Sequence, residues 1–460
     1  MSTTQQLAAF VQQIEYHNLP ETVVNQAKNA ILDTLGVMLA GATTSVGNIL
    51  LRYAESLGGT KQSSALGTQL QTSSPLAALV NGTFAHSYDY DDDNWAMMGH
   101  PSAPVLSAAL AVAEAQGATG KELLTAYILG YEIEAKIGRG MNPAHYRLGW
   151  HPTSTLGIIG ATVATAKLLG LSSSEIAMAL GIAASLASGL RANFGTMTKP
   201  LHVGHAAMSG VQAATLAQMG LTAHEAILET SLGFAEKFTQ ENGFQFEPMT
   251  DNLGNPYEIL RSGSCIKQYP CCAFTHRAID AILELVKVHD FSAEEVEEVE
   301  CFMGPASSGV LKYYRPLTGL EAKFSMEYCL AAAIADKKLG LSQFTDENVH
   351  RPDIQRLLAR VKRQVNSSIP NDPVQEEQLP VLVKVKLVDG RYLSQEVAIA
   401  KGHPQNPLTE SELKAKFWDC ASLSLSSQQV TQGYTDVLNL EKIDSIKTAI
   451  KNLISSELAK

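Results

Sequence analysis

Val24, Ala27, Ile31, Leu35 and Met38 recur at helical spacing between residues 21 and 40, and Gly41 follows where a helix would stop. The same period predicts helices over residues 4–18 and 45–58, closed by Leu19-Pro20 and Gly58-Gly59. A serine cluster ahead of Pro75 starts the next helix, which ends near a run of acidic residues. After Pro101, with Ser102 near its cap, an alanine-rich helix runs to Gln116, and a turn at 117–120 leads into another over KELLTAYILGYEIEAKIGRGM. A buried helix is expected over residues 153–169, preceded by His151-Pro152, and a serine-capped one with Glu175 in its first turn comes after it. TMTKPLHVGHAAMSGVQAATLAQMG and HEAILETSLGFAEKF read as two more, and residues 240–263 as a surface connection. The first 260 residues therefore predict an all-helical unit.

Near Cys265 the pattern changes. A helix follows Cys271-Cys272, and Val296, Val299, Cys301 and Met303 predict a strand after a turn at Ser292. A helix over residues 321–337 comes next. Val381, Val383, Val385 and Leu387 then alternate with Lys384 and Lys386, and Asp389-Gly390 turns the chain into a second strand, the clearest hairpin present. After GHPQNP the helical period returns over KAKFWDCASL and KIDSIKTAIKNLI. The expected fold class is mainly α with an α+β part at about 265–400.

Composition narrows the function. A chain of 460 residues exceeds what one core usually absorbs, so two domains are expected. With 45% hydrophobic and 18% charged residues, much surface must be buried. A net charge of -11 argues against nucleic acid as the main partner. The six cysteines form no CxxC pair, which points to reduced thiols. No basic segment followed by an apolar one opens the chain, and the most apolar run, 157–189, is interrupted by Lys167 and Glu175. A soluble, cytoplasmic protein without a membrane partner is the expectation.

The candidate chemistry lies in polar islands set between apolar helices. Residues 86–101 place Asp89, Asp91, Asp92 and Asp93 between His86 and His100, with Tyr88, Tyr90 and Trp95 interleaved. Acids and imidazoles among aromatics suit acid/base chemistry or a metal, and the plainer alternative is a solvated loop capping the next helix. The run is not an EF-hand loop, which needs a glycine at its sixth position and a glutamate at its twelfth. His151 stands alone between an aromatic residue and a proline. Lys199, His202 and His205 open an apolar helix, where a lysine and a helix start together attract carboxylate or phosphate. Lys267, Tyr269, Cys271, Cys272 and His276 make a third island, its cysteines read as packing. Taken together, these groups suggest a cleft for a polycarboxylate with an acid/base pair beside it.

The strings HSYDYDDDNW, GHPSAPVLSAALAVAEA, YEIEAKIGR, WHPTSTLGIIGATVATAKLLGL, TKPLHVGHAA, IKQYPCCAFTH and GHPQNPLTESELKAKF, in this order, resemble the MmgE/PrpD family. That family includes 2-methylcitrate dehydratases, cis-aconitate decarboxylases and iminodisuccinate epimerase. The resemblance implies a helical domain from residues 1–264 and 401–460, an α+β lid from 265–400, a homodimer, and no metal or organic cofactor. It places Asp89, His100, His151, Lys199 and Lys267 in the active site, with His100 the candidate acid/base and the lysines on substrate carboxylates. Asp93, His202, Tyr269 and His276 are further candidates for substrate contact. Cys272 stands where the decarboxylases carry a lid histidine, and one extra residue separates Asp93 from His100. A cofactor-independent lyase acting on a small polycarboxylate is the leading expectation. An epimerase, a metal-dependent hydro-lyase and a silent carboxylate-binding protein are the alternatives.

Overall fold

A computed structural model describes residues 1–240 and 243–455. The long helices are α1 Thr3–Gln13, α2 Glu21–Gly41, α3 Ser45–Leu57, α4 Ser74–His86, α5 Ser102–Gln116, α6 Gly120–Met141, α7 Gly157–Leu168, α8 Ser173–Leu186 and α9 Thr198–Gln218. Serine and threonine side chains cap several of them: Ser2, Thr119 and Ser172 each complete a reciprocal capping box. Further on come α10 His276–His289, α11 Met326–Asp336, α12 Glu410–Ala421 and α13 Ser427–Leu438. One sheet has the order β2-β1-β3-β4, built from β1 Val296–Met303, β2 Val361–Val365, β3 Val381–Leu387 and β4 Tyr392–Val397. The chain is thus mainly α with an α+β part, as expected from its patterning. Among the described residues no single helix is long and apolar enough to cross a membrane.

One core gathers α2, α4, α5 and α6, and the late helices close it through Phe417, Val430 and Val437. A second core lies between the sheet, α10 and α11, through Val299, Val383, Ile282 and Leu330. Met98, Tyr146 and Phe194 belong to this second core although they come from the first half of the sequence. The space between the two cores is therefore lined from both halves of the chain.

Several expected elements differ. Residues 224–232 are not helical; only Phe234–Thr239 is. Some of their polar groups bond to the start of α1: Leu228 N donates to Thr4 Oγ1, and Glu229 accepts from Thr4. The helix expected over 153–169 divides at Leu156 into Pro152–Thr155 and α7. That over 321–337 divides where Ser325 caps a new start by accepting from Tyr328 N. The C-terminal segment holds the short helix Ile446–Ile450 followed by the 3-10 turn Lys451–Leu453, while α13 was not predicted. Strand β2 pairs parallel to β1, a contact that local alternation in a polar pentapeptide does not signal. Residues 241 and 242 of the expected 240–263 connection lie outside the described residues.

Candidate active site

His86 ends α4, and the acidic run follows as a loop. Two backbone bonds pin this loop to the segment after residue 264: Asp93 N to Cys265 O (3.0 Å) and Cys265 N to Asp93 O (2.8 Å). That pairing brings Lys267 beside Asp89. Three lysines then hold successive parts of the loop. Lys323 Nζ donates to Ser87 O (2.8 Å), Lys267 Nζ to Asp89 O (2.9 Å) and Lys416 Nζ to Tyr90 O (2.8 Å). Lys416 also donates to Lys267 O (2.7 Å) and pairs with buried Asp33 (2.6 Å). Asp89 sits at φ 53°, a left-handed conformation that aspartate tolerates better than most residues.

The acidic run is not solvated. Asp91 and Asp92 are fully buried, each with partners that take up its lone pairs. Asp91 faces His86 Nδ1, and Asp92 accepts from Ser102 Oγ (2.8 Å) and Ser264 Oγ (2.6 Å). Burial still dominates at Asp92, raising its carboxyl to about 7. Asp89 behaves oppositely. Burial would raise it, but the Lys199 and Lys267 ammoniums outweigh that and hold it well below the usual carboxylate range.

A cavity opens here. Asp89, Asp93, His100, His151, Lys199 and Lys267 line it. Asp89 Oδ1 is their meeting point, 2.7 Å from Lys267 Nζ, 3.2 Å from Lys199 Nζ and 3.5 Å from His100 Nε2. Lys199 lies in the first turn of α9, so ammonium and helix dipole add. His100 Nδ1 lies 3.0 Å from Asp92 O, which can only accept, so Nδ1 carries the hydrogen and Nε2 faces the cavity with its lone pair. Burial, reinforced by Lys267, pushes His100 well below its ordinary value, against the pull of Asp91. Three buried atoms of cavity-lining residues, Asp89 Oδ2, Asp93 Oδ2 and His151 Nε2, have no hydrogen-bond partner among the described residues. Such orphaned atoms are costly unless a ligand or water meets them.

Other predicted residues lie apart from the cavity wall. Tyr269 donates to Asp280 (2.6 Å) and packs edge-on against His276, whose Nε2 faces Cys271 O (3.3 Å). Both are enclosed in the second core's packing and do not touch the cavity. His202 stands behind His151, Nδ1 to Nδ1 at 3.2 Å. Conversely, Cys272, read from sequence as packing, lines the cavity. Burial pushes its thiol up to about 12, so it is neutral there.

Ligand atoms of His86, Asp89, Asp91 and His100 lie within 4.8 Å of one another, close enough for a metal ion. The donor set does not fit one in this arrangement. Lys199 Nζ stands 2.7 Å from His86 Nε2 and Lys267 Nζ 2.7 Å from Asp89 Oδ1, so two ammoniums already occupy the cation positions.

Residues 5–247 match the sequence profile of the MmgE/PrpD N-terminal domain, and residues 269–440 that of the MmgE/PrpD C-terminal domain. The chain belongs to the MmgE/PrpD family. It is 29% identical to human cis-aconitate decarboxylase, covering all of this chain and 96% of that protein. It is 28% identical to the mouse cis-aconitate decarboxylase, over 96% of this chain and 91% of the other. With cis-aconitate decarboxylase of Aspergillus terreus the identity is 26%, over 98% and 95%.

In this MmgE/PrpD chain, sequence reasoning passed over Lys323, Lys416 and the cavity-lining Phe194 and Phe324, and it named His86 in the acidic island without giving it a role. A lysine inside an otherwise apolar helical face is the signal that could have drawn attention to Lys416. Lys323 gave none beyond its residue type.

Proposed function

We propose that this protein is a cofactor-independent lyase that moves a proton next to a carboxylate of a small polycarboxylate, with cis-aconitate the first candidate. The observation that carries this reading is the convergence of two buried ammoniums and one imidazole on Asp89 Oδ1 at the cavity wall. Full-length similarity to three decarboxylases supports it.

A trianionic substrate brings the charge that Lys199 and Lys267 can share between itself and Asp89. Its carboxylates also favour the imidazolium form of His100, whose Nε2 then gains a hydrogen aimed into the cavity. In decarboxylation the bond to the departing carboxylate breaks, CO2 leaves, and the electron pair stays on carbon. That carbon takes the Nε2 proton of His100. In dehydration the same nitrogen, in its neutral form, would accept the α proton, the electron pair would form the double bond as the β C–O bond breaks, and the hydroxyl would leave as water with a proton from that imidazolium or from solvent. The lysines stabilise the charge as it develops, usually the largest catalytic contribution. We extend the reading to a homodimer in the cytoplasm, supported by family resemblance and by six free, buried cysteines.

The test is turnover of cis-aconitate, 2-methylcitrate and iminodisuccinate in deuterated water, followed by NMR. One deuterium on carbon is expected in a decarboxylation product; dehydration or epimerisation would instead wash deuterium into the α carbon of the recovered or epimerised substrate. His100→Gln should lower turnover by about 10²–10⁴-fold with the fold retained. Near-normal turnover by that variant would remove His100 from the mechanism.

A further inference from the structure

His86 is fully buried and does not line the cavity, yet it touches the group that does. Its Nδ1 lies 2.8 and 2.9 Å from the two oxygens of Asp91, and its Nε2 lies 2.7 Å from Lys199 Nζ. A carboxylate only accepts and an ammonium only donates. The imidazole between them therefore donates from Nδ1 and accepts at Nε2, and the direction of both bonds is fixed. Close helix contact makes the span possible. A Cβ on Gly82 of α4 would stand 2.9 Å from Gly204 Cα of α9, and one on Gly204 only 2.1 Å from Leu79 O. Only glycine at both places lets α4 and α9 approach so far that His86 reaches Lys199.

We propose that Asp91 and His86 are positioning residues for Lys199, forming with it a carboxylate–imidazole–ammonium chain that aims the ammonium at a substrate carboxylate. The proposal deepens, and rests on, the polycarboxylate reading. A lysine has three N–H bonds on a flexible stem. Here one is taken by His86 Nε2 and a second by Asp89 Oδ1 (3.2 Å), which leaves the third for the cavity that Lys199 lines. The rings of Phe194 and Phe324, with centroids 5.1 and 5.3 Å from Nζ, bracket the same ammonium. Asp91 cannot swing away, because it is fully buried with Oδ2 also 3.6 Å from His100 Nδ1. The histidine thus fixes which way a flexible cation points, a task its residue type alone would not suggest.

The experiment has two arms. In the first, protein labelled with ¹⁵N in its histidines is examined by NMR at neutral pH, with His86 assigned by loss of its signals in His86→Gln. Nδ1 protonated and Nε2 unprotonated is expected; the opposite tautomer, or an imidazolium, overturns the chain. In the second, KM and kcat for cis-aconitate are compared in wild type, His86→Leu and His86→Gln. Glutamine can donate to Asp91 and accept from Lys199, so it should stay within several-fold of wild type. Leucine can do neither and should raise KM by roughly ten- to hundredfold, more than it lowers kcat, as expected for loss of a charge-assisted contact. Leucine behaving as wild type, or glutamine failing as badly as leucine in a folded protein, overturns the positioning role. A wild-type protein that ignores every polycarboxylate but shows the expected tautomer overturns the substrate reading and leaves the chain standing.

Discussion

Asp89→Asn separates the two duties of the central carboxylate. Asparagine keeps the shape and tolerates the φ of 53°, so the backbone is spared. What is lost is the counter-charge shared by Lys267, Lys199 and His100 at 2.7, 3.2 and 3.5 Å. Removing one partner of a buried ion pair costs about 3–5 kcal/mol. The lower end is expected, because Lys267 keeps Asp89 O at 2.9 Å and has Asp93 Oδ2 at 3.8 Å. Ligand binding should move the other way. A substrate carboxylate on the same lysines would sit roughly 6 Å from Asp89, where an effective dielectric of about 20 makes the repulsion about 3 kcal/mol. Part of that gain is spent on less ordered lysines, leaving affinity for a tricarboxylate about tenfold higher. Turnover should fall, because His100 loses an anion that favours its imidazolium. The folded carboxyl is held well below its ordinary value, so its stabilising contribution is complete above the unfolded value of about 4 and is lost only as pH falls through the folded one. The variant's destabilisation should therefore be equal at pH 5 and pH 8. Urea unfolding at both pH values and calorimetric titration with tricarballylate measure these quantities. Weaker ligand binding by the variant, or unchanged stability, would refute the view that Asp89 competes with substrate for the lysines.

Three further outcomes follow from the same network. Lys416→Met leaves Asp33 buried without its cation and frees the carbonyls of Tyr90 and Lys267, so unfolding free energy should drop by about 3–5 kcal/mol in denaturant titration, with a weakened KM. Cys272→Ala should keep kcat within a few-fold of wild type, since a thiol raised to about 12 offers no thiolate near neutrality; abolished turnover would make Cys272 a working group. Asp92, raised to about 7 by burial, contributes stability that is present below the unfolded value of about 4 and declines as pH rises through about 7. The stability deficit of Asp92→Asn relative to wild type should therefore shrink by up to about 4 kcal/mol between pH 4 and pH 8.

The long helices were legible because alternation and capping are local. Ser2, Thr119 and Ser172 announce their helices within four residues, and the Asp389-Gly390 hairpin carries its own turn. Residues 224–232 were misread because their partners, Thr4 and the start of α1, lie more than two hundred positions away. The same distance effect governs the site. Asp89, His100, His151, Lys199 and Lys267 were nameable from motif resemblance, and the structure brings all five to one cavity. Tyr269 and His276 had the right chemistry in the right string, but their side chains turn toward Asp280 and Cys271. The aspartates looked solvated because charge runs usually are. Here Ser102 and Ser264, too ordinary to stand out, together with His86 supply the partners that make burial tolerable.

Burying this many charges is costly, and the arrangement of the lysines indicates what the cost secures. Each lysine that holds the acidic loop comes from a different part of the chain: Lys267 from the stretch after the first helical half, Lys323 from the turn before α11, and Lys416 from α12. Any one of them reaches its carbonyl only after its own segment has docked. The loop that carries left-handed Asp89 is therefore held by groups from both cores and the late helix together. A lyase that generates a carbanion beside carboxylates gains from this coupling. Its cationic groups are fixed in position before substrate arrives, so little reorganisation remains to be done as charge develops. On this view the charge network is a positioning frame, and Lys416 contributes to catalysis through the backbone of Tyr90 and Lys267 without touching the cavity.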